Sequence, residues 1–138
     1  MLPRLYREAP VNSIWEGAGN IMCLDMLRAI ERAPQAADAL LAELAEPAGT
    51  DRRLKAFADR LQQRWRAPER ADESQARAFT RDLVLALQAA LLIRHSPAAV
   101  ADAFCASRLG DGGGGGAFGM LPRGSDLRAI VERAAPLH

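Results

Sequence analysis

Residues 11–20, VNSIWEGAGN, set one carboxylate, Glu16, between the indole of Trp15 and a Gly-Ala-Gly-Asn turn. A carboxylate in that position is a candidate for desolvation. Desolvation disfavours the charged form and raises the pKa, which a general base working near neutral pH requires. The same residue also reads as an ordinary helix N-terminal glutamate, favoured there by the macrodipole. Gly17, Gly19 and Asn20 present backbone N–H groups where a helix begins, and such an end attracts phosphate; a plain turn is the competing reading. The spacing is Gly-x-Gly only. Met22 stands where a dinucleotide fingerprint has its third glycine, and no strand precedes it.

A second group is basic. Residues 51–81 hold nine of the 18 Lys and Arg residues against five acids, whereas 34–50 hold three acids and no base, and the whole chain is net +1. At about 100° per residue, Arg53, Arg60 and Arg64 fall in one narrow helical stripe beside an apolar face of Leu54, Phe57, Leu61 and Trp65. Arg52, Lys55 and Arg66 add charge on other sides. Such a stripe can neutralise several phosphates, each steepening the log–log salt dependence by ~0.9. It reads equally as a solvated face with Asp51, Asp59 and Glu69 as counter-charges. No base-reading motif or aromatic stacking platform accompanies it, so any DNA contact would be sequence-independent. Every base but Lys55 is Arg. That suits phosphate and carboxylate forks, and is also what a GC-rich genome writes by default.

The remaining polar candidates are sparse. Cys23 and Cys105 are far apart and read as buried free thiols of a reducing compartment. With no CxxC and no Cys/His cluster, no metal site is expected. His95 follows a long helical pattern and reads as a capping or packing residue. GDGGGGGAFG, residues 110–119, lacks the Lys-Ser/Thr and the preceding strand of a phosphate-cradling loop, and reads as a flexible surface loop.

These residues must be positioned by helices. The 138 residues suit one domain, and the Ala- and Leu-rich, aromatic-poor composition favours helix over sheet. Leu2 to Glu16, with Pro3 and Pro10, reads as extended chain and turns. A first helix then buries Ile21, Leu24, Leu27 and Ile30. A short second one carries Ala37, Leu40, Leu41 and Leu44 and ends near Pro47. A third is capped by Thr50 or Asp51 and buries Leu54, Phe57, Leu61 and Trp65. The fourth and longest runs roughly from Glu69 to His95, with Phe79, Leu83, Leu87, Ala90 and Leu91 inward and Val84, Leu85 and Leu92 widening that face. Ser96-Pro97 starts a fifth, to Leu109, burying Val100, Phe104 and Cys105, and Ser125 caps the last. The expectation is an all-α bundle of about six helices. No run approaches ~18 apolar residues and the N-terminus lacks a signal-peptide core, so a cytoplasmic protein without a membrane partner is expected.

Across 27 residues, PRLYREAPVNSIWEGAGNIMCLDMLRA resembles the end of the catalytic region in the AidB-type, adaptive-response branch of the acyl-CoA dehydrogenase family. General members show Tyr-Glu-Gly-Thr-Asn there, and this branch Trp-Glu-Gly-Ser-Gly-Asn. DRLQQRWRAPE, SPAAVADAFCASRLG and GGAFGMLPRGSDLRAIVERA are similar to the branch's extra C-terminal helical region. The resemblance implies that residues 1–33 end the dehydrogenase helical domain and that 34–138 form the extension. It implies that Glu16 is the base taking the α-proton of an acyl-CoA thioester while the β-hydride goes to flavin. It places Trp15, Gly17, Ala18, Gly19 and Asn20 in the turn against FAD, with Ala18 lacking the hydroxyl of the branch's Ser. It also implies double-stranded DNA binding and oligomer contacts by the C-terminal helices, for which Arg52, Arg53, Lys55, Arg60, Arg64 and Arg66 are the candidates. Family members carry several hundred residues before this motif, which supply most of the flavin and thioester pocket. The remainder of such a flavoprotein, or its other subunits, is therefore an expected partner. A stand-alone DNA-binding or oligomerisation module and a self-associating remnant are the rival readings.

Overall fold

The computed structural model of the chain describes residues 2–13, 19–67, 72–110 and 119–135. The described residues form seven α-helices and two 3-10 turns, with no strand. They are α1 (Leu2–Glu8), a 3-10 turn (Ala9–Ser13), α2 (Gly19–Arg32), α3 (Pro34–Thr50), α4 (Arg52–Arg66), a 3-10 turn (Glu73–Gln75), α5 (Ala76–His95), α6 (Ala98–Arg108) and α7 (Leu127–Ala134). The all-α expectation holds. The extended start does not: Leu2–Glu8 is helical. Pro3 sits in the first turn, where N–H groups have no intrahelical partner, so its missing donor costs nothing. Arg4 and Glu8 add an ion pair one turn apart at 2.9 Å.

Helix α5 is the axis of the bundle and packs against α2, α3, α4 and α6. Its buried residues are Ala76, Phe79, Ala86, Ala89 and Ala90, with Leu83, Leu85 and Ile93 partly buried against the same core. Positions 76, 79, 83, 86, 90 and 93 follow one another by three or four residues, the spacing of a helical seam. Val84 and Leu91, expected inward, are 46% and 45% exposed. Opposite α5 lie Cys23 and Leu27 of α2, Leu44 of α3, Leu54 and Leu61 of α4, and Cys105 of α6. Leu44 and Leu54 are fully buried, each contributing about 1.5–3 kcal/mol by transfer from water. Ile21, expected in the core face of α2, is instead exposed.

Several boundaries differ from expectation for identifiable reasons. Helix α5 begins at Ala76, not near Glu69, because Asp72 accepts a hydrogen bond from the Ser74 N–H at 2.9 Å and starts a 3-10 turn instead. Ser96 closes α5 rather than capping α6: its hydroxyl donates to the Leu92 carbonyl at 2.7 Å, and α6 starts at Ala98 after Pro97. Asp126, not Ser125, caps α7 by accepting from the Ala129 N–H at 3.0 Å. The glycine-rich run 111–118 lies outside the described residues.

Helix α3 shows the largest departure. It runs through Pro47 to Thr50, although proline in a helix leaves the carbonyl four residues earlier without its N–H partner. That carbonyl belongs to Glu43, and Arg94 of α5 supplies the missing donor, its Nη2 lying 3.0 Å from the oxygen. Arg94 also donates to the carboxylates of Glu43 and Glu46, each at 2.8 Å. Thr50 donates to the Pro47 carbonyl at 2.8 Å. One arginine, 47 positions along the chain, thus allows the helix to continue. Arg94→Ala is expected to lower the urea midpoint of the parent chain. The loss should be smaller in a Pro47→Ala background, where residue 47 supplies its own N–H. Equal losses in the two backgrounds would contradict this account of Pro47.

Candidate functional site

Of the motif residues, Trp15, Glu16, Gly17 and Ala18 lie outside the described residues, while Gly19 and Asn20 open α2. Asn20 is anchored across the bundle. Its side-chain carbonyl accepts from Arg77 Nε at 2.9 Å and also from Arg77 Nη2. The guanidinium lies so close to Gly19 that a β-carbon there would stand 3.3 Å from Arg77 Nη2, a tight contact relieved only by a small shift of the arginine. Asn20, Cys23, Leu24 and Arg77, with Glu73 and Ser74 facing them, bound an open recess of about 520 Å³. Arg77 was invisible as a site residue in the sequence. It is 57 positions from Asn20 and belongs to no motif, and only the packing of α2 on α5 joins them.

The basic stripe of α4 is partly neutralised. Asp51 is the α4 N-cap, its Oδ1 accepting from the backbone N–H groups of Arg53 at 2.8 Å and Leu54 at 3.2 Å. The same carboxylate binds the Arg53 side chain, which also reaches Asp102 of α6 at 2.8 Å. Arg64 donates to Asp82 of α5 at 2.9 Å and lies 5.5 Å from the Phe79 ring centroid; Phe79 in turn stacks on Trp65. Lys55 pairs with Asp59 at 2.9 Å on the surface. Arg60 is exposed and lies over Phe57. Arg52 and Arg66 are exposed and carry no ion pair among the described residues. Arg53 and Arg64 therefore brace α4 against α6 and α5, and the helix presents its remaining cations to solvent.

Electrostatics at Asp51 follow from these bonds. Its carboxyl is held below the usual carboxylate range, chiefly by the Arg53 side chain; partial burial opposes this, and the Leu54 and Arg53 backbone N–H groups reinforce it. Arg53 is shifted up by the same pairing, and so stays charged. Burial is the main cause that pushes the Cys105 thiol up to about 11. Both cysteines are buried and unpaired, so Cys105 packs as a small apolar side chain and is a poor nucleophile. His95 is exposed at the end of α5. Among the described residues no three His, Cys, Asp or Glu side chains gather to hold a metal, and no helix is long and apolar enough to cross a membrane.

A curated protein of Escherichia coli (strain K12), "Putative acyl-CoA dehydrogenase AidB", is 42% identical to this chain over 113 residues, which is 82% of the chain and 20% of that protein. Over those residues the chain is similar to one segment of this acyl-CoA dehydrogenase-like protein. It spans about one fifth of the length of the curated relative it matches. No family model matches the chain. No solved structure matches it.

Asp51 yields a test of the α4 cap. Because its folded-state pKa lies below the unfolded value, its stabilisation is full above ~3.9, the ordinary carboxylate value, and is lost as pH falls through the folded value. Asp51→Ala is expected to cost about 1–2 kcal/mol at neutral pH. The gap between parent and variant, measured by urea unfolding, should stay constant down to about pH 4 and close below it.

Proposed function

We propose that the chain is the C-terminal helical part of an acyl-CoA dehydrogenase-like flavoprotein, with Glu16 as its base and Trp15, Gly17, Ala18, Gly19 and Asn20 as part of the FAD contact. The observation that carries this reading is the 42% identity over 113 residues to the Escherichia coli protein. The start of α2 supports it chemically. The backbone N–H groups of Gly19 and Asn20 open a helix, and the Arg77 guanidinium beside them carries donors only. A donor-rich helix start suits the acceptor oxygens of a flavin nucleotide. FAD, when bound, would accept the β-hydride of an acyl-CoA thioester. The role of Glu16 is to take the α-proton on its carboxylate, so that the carbon–carbon double bond forms as both leave. The helices of residues 34–138 hold the start of α2 in place through α5.

The remainder of the flavoprotein, or another subunit, is the partner assigned to the exposed apolar side chains, among them Leu5, Tyr6, Ile21, Met22, Leu127 and Val131. The two buried free thiols favour a reducing, cytoplasmic setting. The test is a chimera in which residues 1–138 replace the matching segment of the Escherichia coli relative. The chimera is expected to copurify with FAD. Glu16→Gln in it should keep the flavin and abolish exchange of the thioester α-proton with solvent. A folded chimera without flavin, or undiminished exchange in the variant, would contradict the reading.

A second reading, a non-specific duplex-DNA surface on α4, is favoured by the exposure of Arg52, Arg60 and Arg66. Arg53, Lys55 and Arg64 complete the candidate surface; all three are held in the ion pairs described above and contribute chiefly field. Fluorescence anisotropy with duplex DNA across a salt series is expected to show affinity that falls with salt at ~0.9 log units per neutralised phosphate. The triple substitution of Arg52, Arg60 and Arg66 to Glu should abolish it without unfolding the chain. Binding unaffected by that change would remove the surface from α4.

A further inference from the structure

The geometry points to Arg77 as a positioning residue that fixes the carboxamide of Asn20, so that its NH2 group, and never its oxygen, is offered to a ligand at the start of α2. The inference rests on the reading above that this helix start contacts a cofactor. It adds a residue from the extension to that contact, together with the polarity of the hydrogen bond.

Asn20 has one acceptor and two donors on its side chain, and the guanidinium of Arg77 has donors only. The two Arg77 hydrogen bonds both end on Asn20 Oδ1. Rotating the carboxamide by half a turn would set its NH2 group against the guanidinium, donor facing donor, with no bond possible. The partner's chemistry therefore decides which end points where. Among the described residues the side-chain hydrogen bonds of Asn20 are the two to Arg77, and neither uses the donors of Nδ2. They add to the donors of the α2 start beside a recess large enough to admit a polar group. A ligand group that meets this side chain must be an acceptor, such as a carbonyl or phosphate oxygen. A β-carbon at position 19 would stand 3.3 Å from Arg77 Nη2, so glycine leaves the guanidinium room to approach. Arg77 is the second residue of α5 and Asn20 the second of α2, so the clamp joins the opening turns of two helices that pack along their lengths.

The test uses the chain itself and reads the side-chain amide of Asn20 by 15N–1H correlation spectroscopy. Arg77→Ala is expected to shift the Asn20 Nδ2 resonances. Arg77→Lys should return them most of the way, because a lysine ammonium also donates to Oδ1. Asn20→Ala and Arg77→Ala should be non-additive in unfolding, the second change costing little once the first is made. Unchanged Nδ2 resonances in Arg77→Ala, or full additivity, would overturn the clamp. In the chimera with the Escherichia coli relative, FAD titration separates the clamp from the flavin reading. Loss of about fivefold to tenfold in FAD affinity in both Arg77→Ala and Asn20→Asp, the latter keeping the arginine partner but losing the donors, supports both. A spectroscopic clamp with no FAD bound by any version upholds the clamp and rejects the cofactor. FAD affinity unchanged in Asn20→Asp overturns the proposed donor role.

Discussion

Helix α5 can be covered by four neighbours only because the side chains at its contacts are small. Ala76, Ala86, Ala89 and Ala90 are almost fully buried on it, and Phe79 is its one large fully inward residue. Small side chains let neighbouring backbones approach closely, and the volume between them is then filled from the other side by Leu27, Leu44, Leu54, Leu61 and Cys105. A larger residue at Ala86, Ala89 or Ala90, each at most 1% exposed, would overpack the contacts made there. Between α2, α3, α4 and α5 the filling is incomplete, leaving an apolar recess of about 280 Å³ walled by Met26, Ile30, Leu61, Trp65, Phe79 and others.

Apolar contact alone would let the helices slide along α5. Polar ties at fixed heights prevent this. Arg77 in its first turn holds Asn20 of α2, Asp82 holds Arg64 of α4, and Arg94 in its last turn holds Glu43 and Glu46 of α3. Arg53 performs the same service between α4 and α6 through Asp102. Most of these groups are solvent-accessible, so each tie contributes modestly to stability. Their value is in register. The tie at Asn20 sets the height and rotation of the helix start that follows the Trp-Glu-Gly motif, and so connects α5 to the proposed chemistry.

The sequence showed the fold class and most of the helices, because large aliphatics at helical spacing mark a buried face whatever they pack against. Leu44, Leu54, Leu61 and Phe79 were legible for that reason. Of the alanine seam of α5 only Ala90 was, since hydropathy favours Val84 and Leu91 over Ala86 and Ala89, and only the neighbouring helices decide which row lies inside. Proline misled twice. Pro3 begins a helix, and Pro47 is carried through one by a distant arginine that no local window contains. Serine misled at 96 and 125, where its hydroxyl donates back to a carbonyl of the preceding segment rather than accepting from the next helix. The motif around Glu16 was legible from its residue types and spacing, while Trp15 to Ala18 lie outside the described residues. Its support from Arg77 could not be read, because spatial neighbours 57 positions apart leave no local pattern.

Helix α2, which carries the end of the motif, is an integral member of a bundle built on α5 and not a loosely attached arm. Native-state hydrogen exchange on the chain tests this most directly, since it measures the opening free energy of each helix separately. The amides of the middle of α2, around Cys23 to Ile30, are expected to open together with those of α5, around Leu83 to Leu92, in the global unfolding step. Exchange of the α2 amides at the rate of open chain while α5 stays protected would contradict the account, and would detach the motif from the helices proposed to hold it.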